Sequence, residues 1–355
     1  MKDKIHFIKP TVDKDKTPIL NKNRQTENTI NGIETSIMID TNVLIRIESV
    51  VKNGNTLRQV KQKNLNKLLD VLNNKYCIQS VSAGLAQMEM PPANREYAHY
   101  CFNEFTRVHA SSLSDDHRGL NDAPESSDLI AWGFDELDKE YQSVYSFFYG
   151  SFLLLLIANQ QALSPEKKYK YYISRVVKEF DLISSSISEI AKLCFYSPTT
   201  TEGVDFKNLL TATKGNFLAK PKKYYGQKLT PENKLKVSAF NSATDLFFIQ
   251  SATYSDAKGF EGTKQDTWIA TADGKLASFI KYFAYSYLGK DTGMLAEIER
   301  YPEQVDSPYW KEVDHYSRAL SAERAPAVFT PKNSIDIESF LSAIKRIHTE
   351  IKDIQ

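Results

Sequence analysis

The sequence has few cysteines and almost no excess charge, and each absence excludes a class of protein. Cys77, Cys101 and Cys194 are the three cysteines in 355 residues and form no Cys-x-x-Cys pair, so neither a disulfide framework nor a thiolate zinc site is expected. Lys and Arg number 45 against 44 Asp and Glu. This balance excludes a protein that coats nucleic acid by bulk positive charge, but not a local basic surface. Sparse cysteine favours a reducing, cytoplasmic location.

The chain also lacks a membrane-length apolar run and a glycine-rich phosphate-binding motif. Its longest apolar run, residues 147–158, is interrupted by Gly150 and Ser151 and is shorter than the roughly 20 residues that cross a bilayer. We therefore expect a buried core helix and no membrane partner. The first 32 residues are polar, without the apolar core of a secretory signal, and predict a flexible N-terminal arm. The absence of Gly-x-x-x-x-Gly-Lys-Ser and Gly-x-Gly-x-x-Gly argues against a nucleotide-binding protein.

Strand and helix patterns alternate over residues 33–93. Residues 36–39 and 76–81 are short apolar runs typical of buried strands, and leucines at helical spacing predict an amphipathic helix with a basic outer face over 57–72. Ser82 is a candidate N-cap for a short helix that carries Glu89 and ends before Pro91. This alternation predicts a parallel sheet of α/β type.

The middle of the chain, residues 94–230, shows helical patterns and few strand patterns, including an apolar seam from Val176 to Cys194 that predicts a helix packed on another helix. The α/β pattern then returns. Its predicted elements are a helix over 231–251, a strand over 267–271, a helix from Lys275, a strand over 327–329 and an amphipathic C-terminal helix. We therefore predict an arm (1–32), an α/β domain (33–93 and 231–355) and a mostly helical insertion (94–230).

Four carboxylates are placed where a parallel sheet would gather them. Asp40 and Asp273 each follow a predicted strand, and the carboxyl ends of parallel strands form the edge where ligands bind. Glu89 ends a helix that begins at the same edge, and Asp245 lies inside an apolar helix. Taken singly, the aspartates suit helix caps or turns, Glu89 suits a solvated helix surface, and Asp245 suits an internal ion pair.

Taken together, these acids would repel one another unless a cation neutralises them. Oxygen ligands without Cys or His suit Mg²⁺ or Mn²⁺ rather than zinc. A site of this kind can polarise a phosphodiester and ionise a water for attack. The set therefore indicates hydrolysis of a nucleic-acid backbone.

The ordered set resembles the PIN-domain family of metal-dependent nucleases. The similar segments are Ile37–Ile45 with its Asp-Thr-Asn, Val81–Glu89, Ala243–Ala252, Trp268–Leu276 with its Thr-x-Asp, and Phe329–Pro331. The resemblance implies an α/β/α sandwich with a parallel sheet that binds one or two Mg²⁺ or Mn²⁺ ions and cuts RNA or, in some branches, structured DNA. Carried over by position, the acidic set that holds the metal is Asp40, Glu89, Asp245 and Asp273, with Asn42 and Thr271 in support.

This chain departs from the small members of that family by the long interval between Glu89 and Asp245. Glu96 and Glu104 are therefore alternatives to Glu89. Further ligand candidates precede the closing strand: Asp256, Glu261 and Asp266.

Basic and aromatic residues cluster in the insertion, where lysines could contact phosphates and tyrosines could stack on bases. The residues of this candidate nucleic-acid interface are Lys220, Lys222, Lys223, Tyr224 and Tyr225. The basic and aromatic cluster 167–172 and the basic face 58–67 are further candidates, but both also suit the solvated faces of helices. The leading hypothesis is an Mg²⁺- or Mn²⁺-dependent endonuclease that cuts RNA rather than DNA. The alternative is a catalytically inactive PIN-like module that binds RNA or a partner protein. An inhibitor or regulatory protein and a second copy of the chain are further partners to test.

Overall fold

Helices make up most of the described part of the chain, which in this computed structural model is residues 4–11, 18–113, 133–198, 202–219, 221, 223–224, 227–260, 262–287, 294–298, 301–328 and 337–352. The strands are β1 (His6–Ile8), β2 (Ile33–Ile39), β3 (Gln79–Ser82), β4 (Lys223–Tyr224), β5 (Gln227–Lys228), β6 (Lys264–Thr271), β7 (Phe283–Tyr287) and β8 (Met294–Ile298). The first helices are α1 (Lys22–Ile30), α2 (Thr41–Lys52), α3 (Leu57–Gln62), α4 (Asn66–Leu72), α5 (Gly84–Met88), α6 (Pro92–His109) and α7 (Lys139–Gln160). The others are α8 (Pro165–Phe180), α9 (Ser185–Phe195), α10 (Val204–Phe217), α11 (Pro231–Lys258), α12 (Gly274–Ile280), α13 (Pro302–Asp306), α14 (Pro308–Val328) and α15 (Ile337–Lys352). Single 3₁₀ turns lie at Ser111–Leu113 and Phe134–Glu136.

Four strands form a mixed sheet in the order β1-β6-β2-β3. The register pairs Ile39 of β2 with Ala270 of β6, and Met38 with Ser82 of β3, in parallel ladders. The strands β2, β3 and β6 therefore end at one edge, called here the carboxyl edge, and begin at the opposite, amino edge. The sheet is α/β in type but not wholly parallel as predicted, because β1 runs antiparallel along β6.

The chain divides into two compact units that are interleaved in sequence. Unit 1 comprises residues 1–132 and 245–297, and unit 2 comprises residues 133–244 and 298–355. This division differs from the predicted one at both ends of the insertion. Helix α6 belongs to unit 1, where it packs on α2, and α15 belongs to unit 2, where it packs on α7. Both contacts join segments far apart in sequence, which composition along the chain does not reveal.

The N-terminal segment is tied into unit 1, in contrast to the flexible arm that its composition predicts. Strand β1 pairs with β6, and Asn21 caps α1 by accepting a hydrogen bond from the Arg24 amide. The Lys9 ammonium, 5% exposed, lies 2.7 Å from the Asp266 carboxylate. Hydrogen bonds and buried ion pairs thus order a polar segment that carries no strong hydrophobic pattern.

The central strands of unit 1 are buried. Ile37, Ile39 and Trp268 are fully shielded from solvent, and α2 contributes Val43 and Leu44 to the same core. The predicted helix over 57–72 is two helices, α3 and α4. The break is at Asn64, whose positive φ of 58° suits the short polar side chain of asparagine.

Helix α7 forms the core of unit 2, as the apolar run predicts. By length and composition alone it is the one helix in the described ranges that could span a membrane, yet 67% of its apolar window is buried in the protein, as in the core helix of a soluble protein. Gly150 lies where an added Cβ would be 2.2 Å from Cζ of Phe180, so the glycine lets α8 approach closely.

Two predictions of regular structure in the second half are wrong. The seam from Val176 to Cys194 is shared by α8 and α9, because Asp181 takes a left-handed conformation that ends α8 and Ser184 caps α9. Ala327 and Val328 are the last residues of α14 and not a strand. The remainder of that segment, including Phe329–Pro331, lies outside the described residues.

Candidate active site

Asp40 lies at the carboxyl edge, where β2 ends and α2 begins. Its amide still belongs to the sheet, donating to the carbonyl of Ala270, and the residue is buried, with 8% of its surface exposed. Oδ2 accepts hydrogen bonds from the Thr271 hydroxyl at 2.5 Å and from the Asn42 side-chain amide. The strand register places Thr271 beside Asp40, so pairing of β2 with β6 builds this contact.

Asn42 and Thr271 both join the two strand ends. Asn42 Oδ1 accepts from the Ala272 amide at 2.7 Å, and its Nδ2 also donates to Thr271 Oγ1 at 3.2 Å. Thr271 Oγ1 further accepts from the Asp273 amide at 2.9 Å. Asn42 and Thr271 thus both contact the Asp40 carboxylate, and the bond to the Asp273 amide fixes the start of the turn that carries Asp273.

Asp273 caps α12. Its Oδ1 accepts from the amides of Lys275 and Leu276 at 2.7 and 3.2 Å. The capping role considered for a lone aspartate is therefore present. The other oxygen, Oδ2, accepts no hydrogen bond within the described residues, and the Asp273 charge acts on Asp40.

Glu89 is the residue after α5, the short helix that follows β3, and its side chain bonds to the residue next to Asp40. Its Oε2 accepts a 2.5 Å hydrogen bond from the Thr41 hydroxyl. Sequence reasoning did not single out Thr41, although it stands between Asp40 and Asn42 in the Asp-Thr-Asn motif. The Thr41 contact favours Glu89 over the alternatives: Glu104 pairs with Arg107 at 2.6 Å, and Glu96 is exposed.

The side-chain carboxyls of Asp40 and Glu89 both have raised pKa values. Burial raises the pKa of Asp40 to about 6, and the Asp273 charge acts in the same direction against the hydrogen bonds from Thr271 and Asn42. Burial raises the pKa of Glu89 to about 8, the charge of Asp40 adds to this, and the Thr41 hydrogen bond opposes it. Asp40 thus lies close enough to Glu89 and to Asp273 for its charge to interact with each of theirs.

Asp245, the fourth predicted acid, is half-buried in α11. It has interactions of its own within the protein, and its place in the set stays a prediction. The predicted extra ligands Asp256 and Asp266 lie instead at the amino edge, where both pair with Lys9 and where Arg24 Nε binds Asp266 at 2.8 Å. Glu261 lies outside the described residues.

The candidate nucleic-acid interface is described only in part. Lys223 and Tyr224 form β4, which pairs with β5 in a short antiparallel hairpin. Lys220, Lys222 and Tyr225 lie outside the described residues.

The carboxylates at the carboxyl edge are candidate ligands for a divalent cation. Within the described residues, no group of three or more His, Cys, Asp or Glu side chains is arranged to hold a metal ion. The oxygens present instead suit Mg²⁺ bound by one or two carboxylates with water and a substrate phosphate completing its coordination. Asp40 with Glu89, or Asp40 with Asp273, supplies such a pair.

Comparisons of the chain with protein-family models, with curated proteins and with solved structures find no match. What can be inferred about this site therefore depends on the chain's own residues and their geometry.

Proposed function

We propose that this protein is an Mg²⁺- or Mn²⁺-dependent hydrolase of phosphodiester bonds in nucleic acid, acting on RNA. The observation that carries the proposal is the gathering of Asp40, Glu89 and Asp273, from three distant segments, at the carboxyl edge of the sheet. The order of these acids in the motifs that resemble PIN domains supports the same reaction. The two-unit chain with an α/β sheet is compatible with a PIN-like α/β/α sandwich carrying a helical insertion, which is the fold that we propose.

The contrast between the two edges of the sheet supports a cation at the carboxyl edge. At the amino edge, Asp256 and Asp266 have Lys9 as a built-in counterion. At the carboxyl edge, no Lys or Arg in the described residues forms an ion pair with Asp40, Glu89 or Asp273. Buried acids without a counterion are costly, and a cation from solution would remove that cost.

Two of these carboxylates have an oxygen that could bind a cation. Glu89 Oε1 and Asp273 Oδ2 accept no hydrogen bond in the described part of the chain, while the partner oxygen of each is held by Thr41 or by the α12 amides. Thr271 and Asn42 hold Asp40 in the same way. When bound, the cation would polarise the phosphodiester and lower the pKa of a water. Asp40 with Glu89, or Asp40 with Asp273, would hold it, and the groups that bond to these carboxylates fix their orientation.

Chain geometry supports Asp245 as the fourth acid. Asp256 Oδ1 accepts from the Thr267 amide at 2.7 Å near the start of β6. The stretch of α11 from Asp256 back to Asp245 is about 16 Å long. The extended chain from Thr267 to Ala272, one residue beyond the end of β6, is also about 16 Å long. A helix that runs back along the strand would thus carry Asp245 to the level of the carboxyl edge.

A cleavage assay tests the proposal. The full chain is incubated with labelled RNA and with single-stranded DNA, in Mg²⁺, in Mn²⁺ and in EDTA. We expect metal-dependent cleavage that Asp40→Asn and Asp273→Asn each reduce by about 100-fold or more, in the range that loss of a catalytic group produces. Asp70→Asn, at an exposed position on α4, is the matched control and keeps full activity.

Cleavage that survives either site variant, or that persists in EDTA, would contradict the assignment. Metal-independent RNA binding without turnover in the wild type would instead support the inactive-module alternative.

A further inference from the structure

A stretch of unit 1 close to the carboxylates contains basic residues and no acidic ones. Between Glu48 and Asp70 there is no Asp or Glu, although the whole chain has almost equal numbers of acids and bases. The five basic residues in this stretch are Lys52, Arg58, Lys61, Lys63 and Lys67. Positive charge is therefore concentrated locally in a protein with a net charge near zero.

These cations lie at the surface of α2, α3 and α4 or next to it, and their charges are not paired with an acid in the described residues. Lys52, Arg58, Lys61 and Lys67 are exposed, and Lys63 is half-buried. In the described residues none of the five forms an ion pair. Glu48 acts on Lys52 only at a distance, and Asp70 lies three residues beyond Lys67 on α4 without pairing with it. The apolar side chains of the same helices, among them Val60 and Leu68, are buried and fix the outward orientation of the basic face.

The basic face begins near the site. Arg46 on α2 donates through Nη1 to the carbonyl of Lys63 at 3.4 Å, which joins the end of α3 to α2. Arg46 is five residues beyond Thr41, or about 8 Å along the helix. The surface formed by Arg58, Lys61, Lys63 and Lys67, called here the α3–α4 basic face, is therefore joined to α2 about one and a half helical turns from Thr41.

A basic surface close to the carboxylates is what a polyanionic substrate requires for electrostatic reasons. A cluster of acids repels a polyanionic substrate, so the substrate must be held by positive charge elsewhere on the same unit. Lys and Arg contact phosphates without reading sequence, and neutral amides between them, such as Asn66, can bond to sugars and base edges. The stretch has both kinds of side chain.

We propose that the α3–α4 basic face binds the phosphate backbone of single-stranded RNA and leads it to the carboxylates. The inference rests on the proposed function for its choice of RNA, and its test does not require cleavage. The variant carries Arg58→Gln, Lys61→Gln and Lys67→Gln. The matched control carries Lys139→Gln, Lys178→Gln and Lys207→Gln, three exposed lysines of unit 2 whose loss changes net charge equally.

Binding of a labelled single-stranded RNA to the full chain is measured in EDTA over a range of salt concentrations. We expect the variant to bind about tenfold more weakly at low salt, with a slope of log affinity against log salt reduced by about 2 for three lost phosphate contacts. The control variant keeps the wild-type affinity and slope. Should the triple variant fold poorly by circular dichroism, Lys61→Glu alone provides the same comparison.

Equal RNA affinity in the two triple variants would overturn the inference, as would binding to phosphatidylserine vesicles in place of RNA. The two proposals fail separately. If the wild type binds RNA through this face but never cleaves it, the hydrolase proposal is refuted and the binding proposal stands. If the triple variant cleaves RNA as fast as the wild type, the binding proposal is refuted and the hydrolase proposal stands.

Discussion

Thr271, the last residue of β6, donates a 2.5 Å hydrogen bond to Asp40, which lies 231 residues earlier in the chain. The same hydroxyl oxygen accepts from the Asp273 amide and from the Asn42 side chain. One fully buried side chain thus connects both strand ends at the candidate site.

Thr271→Val removes this hydroxyl and keeps the side-chain shape. The donors on Asn42 and Asp273 lose an acceptor in a buried place, so we expect the free energy of unfolding to fall by about 1–3 kcal/mol. Loss of the bond also raises the pKa of Asp40, which moves the rising limb of the pH–rate profile to higher pH. Urea unfolding and a pH profile measure the two effects. Thr253→Val, which removes a buried hydroxyl bonded within α11, is the control and leaves the profile unchanged.

Glu89 makes the stability of the metal-free protein depend on pH. Its pKa in the fold is raised from 4.5 to about 8. The folded protein therefore holds this proton more tightly than the unfolded chain. The stabilisation that protonated Glu89 contributes is fully present below about pH 4.5 and is lost as pH rises through about 8. We expect Tm in EDTA to fall more over this range in the wild type than in Glu89→Gln.

Added Mg²⁺ should raise the Tm of the wild type more at high pH than at low pH, since the cation competes with the proton. Glu96→Gln, at an exposed position, is the control for both measurements. A wild type and Glu89→Gln with parallel Tm curves would show that Glu89 is ionised and solvated in the fold.

Asp266 secures the N-terminal segment to the sheet. Burial alone would raise its pKa, but the Arg24 hydrogen bond and the Lys9 charge outweigh burial and hold the pKa well below the ordinary value. Its stabilisation is thus present above about pH 4 and is lost as pH falls. The carboxylate is 6% exposed, and Asp266→Asn removes the charge that pairs with Arg24 and leaves Lys9 with Asp256 as its counterion, so we expect a loss of about 3–5 kcal/mol at neutral pH.

The control for Asp266 is the exposed pair of Lys170 with Glu312, where Glu312→Gln should cost about 0–1 kcal/mol. Both losses are read from urea unfolding. Since Asp266 lies at the amino edge, the folded fraction of Asp266→Asn should keep the wild-type Mg²⁺ dependence of cleavage; a changed dependence would return Asp266 to the ligand set.

Replacement by alanine should change the free energy of unfolding in opposite directions at Gly150 and Gly215. An alanine Cβ at Gly150 would overlap the ring of Phe180, which is itself packed on Phe147 and Phe340, so Gly150→Ala should lower stability by about 1–3 kcal/mol. At Gly215 in α10 nothing lies within 4 Å, and the gain in helix propensity should raise stability by about 0.5–1 kcal/mol. Thermal unfolding of both variants tests the packing of α8 on α7. Equal effects at the two positions would contradict it.

Local sequence patterns predicted the central strands and many helices of this protein. The short apolar runs that become β2 and β6 are buried on both faces, and period and composition suffice to identify such strands. The patterns did not reveal β1 or α1, because their order comes from ion pairs with β6 and not from a hydrophobic stripe. They also did not reveal the unit boundary, because the packing of α15 on α7 joins segments far apart in sequence.

By itself the sequence determined which acids stand at strand ends, since a carboxylate that follows an apolar strand must lie at the sheet edge. The tertiary structure decided which acids meet. Parallel pairing of β2 with β3 and β6 brings Asp40 to Glu89 and Asp273, while Asp256 and Asp266 meet Lys9 at the other edge and are neutralised there. The physical reason is that the charge state of a buried acid depends on which groups surround it in space, and strand register and the path of the N-terminal segment set those neighbours.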